Sequence, residues 1–263
     1  MSEALIEGLR PRKGLGQVFL HNRDVIAAEA AHCSGKTVLE IGPGHGYLTE
    51  ELCRDAKKVI AIEKDRMLYK ILKAKYKSRK LKLINADFME LGDNEIGVQD
   101  IDIVISNIPY YLSSSMIDWL SERRLQAVLC LQKEFVMHMM AKPGSRDYSR
   151  LSVMSTLMYR IVKIMDVSRG CFTPVPRVDS VLISLQPKDV KITAKERLLI
   201  GLLMQHKKKT VRNAIVDAHS HLDKSKDYLR NLAEKINEKD KRIFSMEPEQ
   251  MLKLSKELSL LLE

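Results

Sequence analysis

From Thr37 to Pro187, short apolar runs alternate with amphipathic stretches, and this alternation restricts the fold more than any other feature of the chain. The runs "TVLEIG", "KVIAIE", "LKLINA", "IDIVIS", "AVLCLQ", "VKIMDVS" and "SVLISLQP" have the length and branched side chains of strands. Between them, "YLTEELCRDA", "DRMLYKILKAKYKS", "SSMIDWLSE", "EFVMHMMA" and "LSVMSTLMYR" read as helices. A further helix over "RDVIAAEAAHC" precedes the first strand, with Asn22 as its N-cap and Gly35 closing it. Strands that are apolar on both faces, separated by helices, predict a mostly parallel α/β sheet covered on both sides. Ligands of such sheets bind beyond the carboxyl ends of the strands, so functional residues are expected just after "LEIG", "IAIE", "LINA" and "VIS". Beyond about Pro187 only helical patterns remain, in "AKERLLIGLLMQHKKKTVRNAIVDA", "KDYLRNLAEKIN" and "PEQMLKLSKELSLLL". The expected organisation is a sheet domain over residues 1–188 and a small all-helical domain over 189–263.

Composition narrows the partners. With 45% hydrophobic residues among 263, the chain can bury a full core. Its net charge of +10 favours a polyanionic partner, nucleic acid among them. Cys33, Cys53, Cys130 and Cys171 lack the close spacing of a zinc or redox motif, and His219 and His221 fall on different sides of a helix. No metal site is expected. The start, "MSEALIEGLRPRKG", has acids and a proline where a signal peptide needs an apolar stretch, and no apolar run approaches ~18 residues. A cytoplasmic, monomeric protein without membrane contact is expected.

The first strand runs into Gly42-Pro43-Gly44-His45-Gly46, a G-x-G-x-G spacing that differs from the dinucleotide fingerprint G-x-G-x-x-G. Glycine permits a sharp turn and close approach of a ligand, although such a loop also serves plain strand-to-helix turns. Glu63 ends the next strand, at the distance along the chain where an acid can accept both ribose hydroxyls of an adenosine. Asp87 ends the third, where a carboxylate can accept a hydrogen bond from an adenine amine; its plainer role is a turn cap. Taken together, the loop, Glu63 and Asp87 describe a site for an adenosine with no phosphate to cradle. S-adenosylmethionine is therefore expected in preference to NAD, whose pyrophosphate calls for the longer glycine fingerprint at a helix N-terminus.

The fourth strand ends in "ISNIPYYL" (105–112). An adenine amine is a poor nucleophile because its lone pair is delocalised into the ring. The Asn107 oxygen and a main-chain carbonyl near Ile108 could each accept one amine hydrogen and turn the lone pair toward a sulfonium methyl, which is catalysis by orientation. Pro109 fixes φ and offers no competing N–H, and Tyr110 can stack on an extruded base. A side-chain base is not needed, because the methylated ammonium is a strong acid. The plainer alternative is a strand-to-helix turn with its tyrosines on the core.

Seven motifs in this order resemble the ribosomal RNA adenine dimethyltransferases that modify two adjacent adenines near the 3′ end of small-subunit RNA. They are "GLGQVFL" (14–20), "EIGPGHGYLT" (40–49), "VIAIEKD" (59–65), "NADFME" (85–90), "SNIPYYLSS" (106–114), "FTPVPRVDSVLISL" (172–185) and "KKKTVRNAI" (207–215). The resemblance implies a Rossmann-like S-adenosylmethionine-dependent methyltransferase sheet followed by a small C-terminal helical domain. It implies cofactor contacts at Gln17, Leu20, Gly42, Gly44, Glu63, Asp87 and Asn107, with Pro109 and Tyr110 at the target base and Phe172 over its other face. "FTPVPRV" reads as a loop, so core packing is the lesser expectation for Phe172. Val18 departs from the Asn or His usual in the family, so a side-chain contact there is lost. Implied partners are small-subunit rRNA and the immature small ribosomal subunit.

Lys207, Lys208, Lys209 and Arg212 fall on the predicted helix beyond Leu198, in a stretch without acids, and are expected to hold phosphates. The acid-free run from Arg66 to Lys82 is a second candidate RNA surface, and Arg10, Arg12 and Lys13 could fold over substrate. Competing readings are a large-subunit RNA methyltransferase with the same motifs, an RNA-binding assembly factor for which methylation is secondary, and, more distantly, an NAD oxidoreductase.

Overall fold

A computed structural model describes residues 17–262 and divides into two compact units. The first contains residues 17–136 and Arg160–Pro187; the second contains Met137–Tyr159 and residues 188–262. Arg10, Arg12 and Lys13 lie outside the described residues.

In the first unit the elements follow the expected alternation: β1 (Phe19–Leu20), α1 (Arg23–Ala30), β2 (Thr37–Ile41), α2 (Tyr47–Asp55), β3 (Lys58–Glu63), α3 (Arg66–Lys75), β4 (Leu81–Asn85), α4 (Asp93–Ile96), β5 (Ile103–Ser106), α5 (Ser113–Arg123), β6 (Gln126–Gln132) and α6 (Lys133–Met139), which runs on into the other unit. After α7 (Arg150–Met158) come β7 (Tyr159–Val167), β8 (Phe172–Thr173) and β9 (Ser180–Pro187). Seven strands form one sheet in the order β4-β3-β2-β5-β6-β9-β7. Strands β4, β3, β2, β5 and β6 are parallel, and β9 runs antiparallel to β6. β1 and β8 form a separate antiparallel pair, Phe19 opposite Thr173 and Leu20 opposite Phe172.

The two-residue period of a strand sends alternate side chains to opposite faces. Val38, Val59, Ala61, Ile103, Ile105, Val128, Cys130 and Leu182 join Val25 and Ile26 of α1 and Leu48 and Leu52 of α2 in one apolar cluster. The intervening Leu39, Ile60, Val104 and Leu129, also buried, face the other way. β4 departs from the doubly apolar expectation: it is the last strand of the sheet, and Lys82 and Asn85 are exposed. α1 begins as its sequence predicts, with the Asn22 side chain accepting from the N–H groups of Asp24 and Val25, each at 3.1 Å.

Strand order reverses between β2 and β5, which is where an open α/β sheet splays and leaves a crevice. Ser106 ties this point together. Its fully buried hydroxyl donates to the Ile41 carbonyl at 2.6 Å and accepts from the Ile41 N–H at 3.3 Å, replacing the ladder where the strands part.

The second unit contains α7, α8 (Ala194–Gln205), α9 (Val211–Asp217), α10 (His219–Leu222), α11 (Lys226–Ala233) and α12 (Pro248–Leu261). The chain passes from one unit to the other at Pro187–Lys188, and Met137–Tyr159 groups with the later helices. The reason is that α7 buries Ser152, Val153, Met154, Ser155, Leu157 and Met158, too much of its circumference for one neighbour to cover. Both α8 and α12 pack against it. Tyr148, wholly buried, also donates its hydroxyl to the Met246 carbonyl at 2.8 Å.

The Ser106 bridge makes a stability prediction. S106A leaves a buried N–H and C=O at the switch point unpaired, and is expected to cost about 1–3 kcal/mol in urea denaturation. A loss within error of zero would show that the bridge is dispensable.

Candidate functional site at the carboxyl ends of the strands

The carboxyl ends of β2, β3, β4 and β5 open on a single cavity. Its lining includes Gln17, Gly42, Gly44, Glu63, Asp87, Asn107, Pro109, Tyr110 and Phe172, so nine of the residues singled out from sequence converge there. Leu20 does not line it. Its buried side chain joins the core and borders a smaller adjoining cavity together with Glu40, His45 and Asn107.

The glycine loop is shaped by close contact as well as by backbone angle. Gly44 has φ +59°, and a Cβ there would stand 2.8 Å from the Phe19 ring. Gly46 has φ +80°, and a Cβ there would stand 2.5 Å from the Tyr76 ring. Larger residues are excluded twice over. Glu63, 5% exposed, accepts from the Gly44 N–H at 3.1 Å through one carboxylate oxygen and from the Asp65 N–H at 2.8 Å through the other. Each oxygen keeps a further lone pair for a ligand. Burial raises the Glu63 pKa, and the main-chain N–H groups of Asp65, Gly44 and Lys64 oppose that rise.

Asp87 takes its plainer role as well as its place in the lining. One oxygen caps a 3₁₀ turn by accepting from the Met89 N–H at 3.1 Å; the other pairs with the Lys64 ammonium at 2.5 Å. The Lys64 hydrogen bond holds the Asp87 carboxyl below its ordinary pKa. Gln17 donates to Asp65 at 3.3 Å.

At the end of β5, the Asn107 side-chain nitrogen donates to Glu29 of α1 at 2.9 Å. Its oxygen is buried and has no partner among the described residues. Tyr110 is half-buried, with its hydroxyl 2.9 Å from the Ser180 hydroxyl, and desolvation raises its pKa. Phe172 differs from expectation. It lies in β8 with 3% exposure and belongs to the core cluster, because pairing with β1 pulls the start of the "FTPVPRV" loop inward. It reaches the cavity only as part of the wall. Val18 also lines the cavity, as an apolar side chain.

Sequence reasoning missed three buried polar groups around the loop. Glu29 is fully buried, and Glu40, 2% exposed, accepts from the Thr49 hydroxyl at 2.7 Å. Burial pushes each of these carboxyls up to about 8. His45 is 4% exposed, has neither nitrogen paired among the described residues, and lies edge-on to Phe19 with ring centroids 4.1 Å apart; burial lowers its pKa and favours the neutral ring. A signal for Glu29 was present: Val25, Ile26, Glu29 and Cys33 share one helical face, and the other three are apolar.

The predicted phosphate cluster belongs to the second unit and is not helical throughout. α8 ends at Gln205 and α9 starts at Val211, where Thr210 caps it by accepting from the Asn213 N–H, so Lys207, Lys208 and Lys209 stand in the intervening turn. Lys207 donates to the Arg146 and Tyr148 carbonyls at 2.9 and 2.7 Å. Lys209 pairs with Asp217, and Arg212 with Glu234 and Asp240 at 3.1 and 3.5 Å. Lys208 is exposed, and its ammonium has no partner among the described residues. No helix among the described residues is long and apolar enough to cross a membrane.

Comparison with known proteins adds findings of three kinds. The family model for ribosomal RNA adenine dimethylase matches residues 8–259. The chain is 36% identical to a probable ribosomal RNA small subunit methyltransferase A of Pyrococcus abyssi, over 95% of this chain and 93% of that protein. It is likewise 36% identical to the ribosomal RNA small subunit methyltransferase A of Thermotoga petrophila, over 78% of this chain and 80% of that one. Among solved structures, a dimethyladenosine transferase from Plasmodium falciparum superposes with a TM-score of 0.77 at 28% identity, covering 92% of this chain and 98% of that one. The 23S rRNA methyltransferase ErmE shares the fold, with a TM-score of 0.60 at 24% identity over 92% of this chain and 99% of its own.

The buried acids make stability depend on pH. The folded pKa of Glu40 lies above its unfolded value of 4.5, so the stability it contributes is complete below about 4.5 and is lost as pH rises through about 8. E40Q is expected to flatten the fall in thermal stability across that interval. An unchanged slope would mean that Glu40 is ionised in the folded protein at neutral pH.

Proposed function

We propose, from the premise that this chain belongs to the ribosomal RNA adenine dimethylase family, that it transfers methyl groups from S-adenosylmethionine to the exocyclic amines of two adjacent adenines near the 3′ end of small-subunit rRNA during ribosome assembly. The observation that carries this reading is the buried, unpartnered Asn107 oxygen at the end of β5, in a cavity shared with Glu63 and the glycine loop.

The residues present suit an adenosyl cofactor. Glu63 retains lone pairs for the ribose hydroxyls, Gly42 and Gly44 leave room for close approach, and Ile62, Leu68 and Phe88 supply apolar walls for a purine. Asp87 can receive an adenine amine only by sharing its carboxylate with Lys64 and the Met89 N–H. Gln17 and Leu20 border the two adjoining cavities. The bound cofactor supplies an electrophilic methyl on a sulfonium.

Asn107 supplies the acceptor for one hydrogen of the target amine, and the main chain at Ile108 and Pro109 supplies the second. An amine held by two acceptors turns its lone pair out of conjugation, and these bonds strengthen as positive charge grows on nitrogen in the transition state. Tyr110, fixed by Ser180, offers a ring to an extruded base. Extrusion costs a few kcal/mol, and each stacking partner returns roughly 1–3 kcal/mol. Tyr110 can offset part of that cost, while Phe172 serves only as apolar wall.

The RNA would lie against the helical unit. Lys208 is free to meet a phosphate, and Lys209 and Arg212 can exchange exposed ion pairs that contribute little. Lys207, fixed on two carbonyls, instead braces the loop.

Incubation with labelled S-adenosylmethionine and immature small subunits is expected to yield N6,N6-dimethyladenosine by mass analysis, with no product on large-subunit RNA. N107A is expected to lower the methylation rate roughly 10²–10³-fold, as for loss of one transition-state hydrogen bond. Product on large-subunit RNA alone would overturn the substrate assignment. An N107A protein as active as wild type would overturn the role of Asn107.

A further inference from the structure

An amide group presents an acceptor at one end and a donor at the other, and only the acceptor end serves a target amine that must give up its hydrogens. Asn107 sits at the end of β5, and its own strand does not decide which end faces the cavity. Glu29 does. It lies on the buried face of α1, with 0% exposure, and accepts from the Asn107 nitrogen at 2.9 Å. We propose that Glu29 is a positioning residue whose carboxylate holds the Asn107 nitrogen inward, so that the Asn107 oxygen faces the target amine; this rests on the role given to Asn107 above.

The argument turns on what a carboxylate can and cannot do. Ionised, it accepts and never donates, so the Asn107 nitrogen must face it and the oxygen must face away. Protonated, it can also donate to the Asn107 oxygen, and the inverted amide, with its nitrogen toward the cavity, becomes possible. The inverted amide would meet the amine hydrogens with hydrogens of its own. The ionisation of Glu29 therefore sets the fraction of competent sites.

The surroundings oppose ionisation at neutral pH. Desolvation is the largest influence on Glu29 and pushes it up to about 8; the Asn107 hydrogen bond counters this, and the charge of Glu40 on β2 adds to it. Cys130 of β6, a thiol also raised by burial, is a further titratable neighbour. The second Glu29 oxygen is buried without a partner among the described residues. An acid in such a position is costly to the fold, and an apolar residue of similar size should be tolerated or stabilising. Its cost is explained by a function.

Four variants test this: E29L, E29Q, N107A and the double variant E29L/N107A. E29L is expected to lower kcat about tenfold or more, as misoriented groups do, while melting no lower than wild type. The dissociation constant for S-adenosylmethionine and KM for RNA should stay within about threefold, because the effect falls on orientation. In the N107A background E29L should change the rate by less than about twofold, since the group it positions is gone. In the protein without cofactor, the Asn107 side-chain amide resonance should shift as pH passes through about 8, and in E29Q it should not. E29Q should likewise lose the rise of kcat with pH over that range.

A wild-type kcat in E29L would overturn the proposal, as would an equal loss from E29L with and without Asn107, the mark of a purely structural role. An Asn107 resonance that ignores pH in wild type would contradict the ionisation argument. Wild-type activity in N107A would instead remove the underlying role of Asn107, an outcome distinct from failure of the E29L variant alone.

Discussion

The hydrogen bond from the Asn107 amide nitrogen to Glu29 decides what the cavity presents to a ligand. With the nitrogen turned inward, the other end of the amide is an acceptor, buried and unpaired among the described residues. An unpaired buried acceptor is costly to a fold and is kept where a ligand is to satisfy it. Other parts of the site serve to bring this acceptor beside the ends of three further strands. Ser106 bridges β2 and β5 at the switch point, the glycine loop turns away from β2, and Glu63 secures that loop through the Gly44 N–H.

The same economy explains the concentration of awkward chemistry on one side of the sheet. Glu29, Glu40, Glu63 and His45 are all buried within one corner of the first unit, where desolvation raises the acids and lowers the histidine. The central strands β2, β3, β5 and β6 are otherwise largely buried and apolar and can carry that burden. The β1–β8 pair contributes by bringing Phe19 against Gly44 and Phe172 into the wall, so the N-terminal motif and the "FTPVPRV" segment meet although more than a hundred residues separate them.

Much of this was legible in the sequence because it depends on local periodicity. Strands that are apolar at every position and helices that follow them dictate a parallel sheet, and the sheet dictates where Gly42, Glu63, Asp87 and Asn107 end up. What escaped depends on contacts distant in sequence. β1 and β8 have two residues each, too few for a pattern, and their pairing buried Phe172 where a loop was expected. The triple-lysine turn lies within a continuous helical pattern, and only the Thr210 cap breaks it. The placement of 137–159 with the later helices reflects what covers α7. The Lys64 partner of Asp87 could not be read from spacing. Glu29 was visible as an acid on an apolar helix face, yet its meaning appears only when β5 delivers Asn107 to it.

The most direct test is a crystal structure of the protein with S-adenosylhomocysteine and an adenosine nucleotide. The account predicts the exocyclic nitrogen of the nucleotide within about 3 Å of the Asn107 oxygen, the Asn107 nitrogen still on Glu29, and the Tyr110 ring stacked on the base. A nucleotide bound elsewhere, or an amine facing the Asn107 nitrogen, would contradict it.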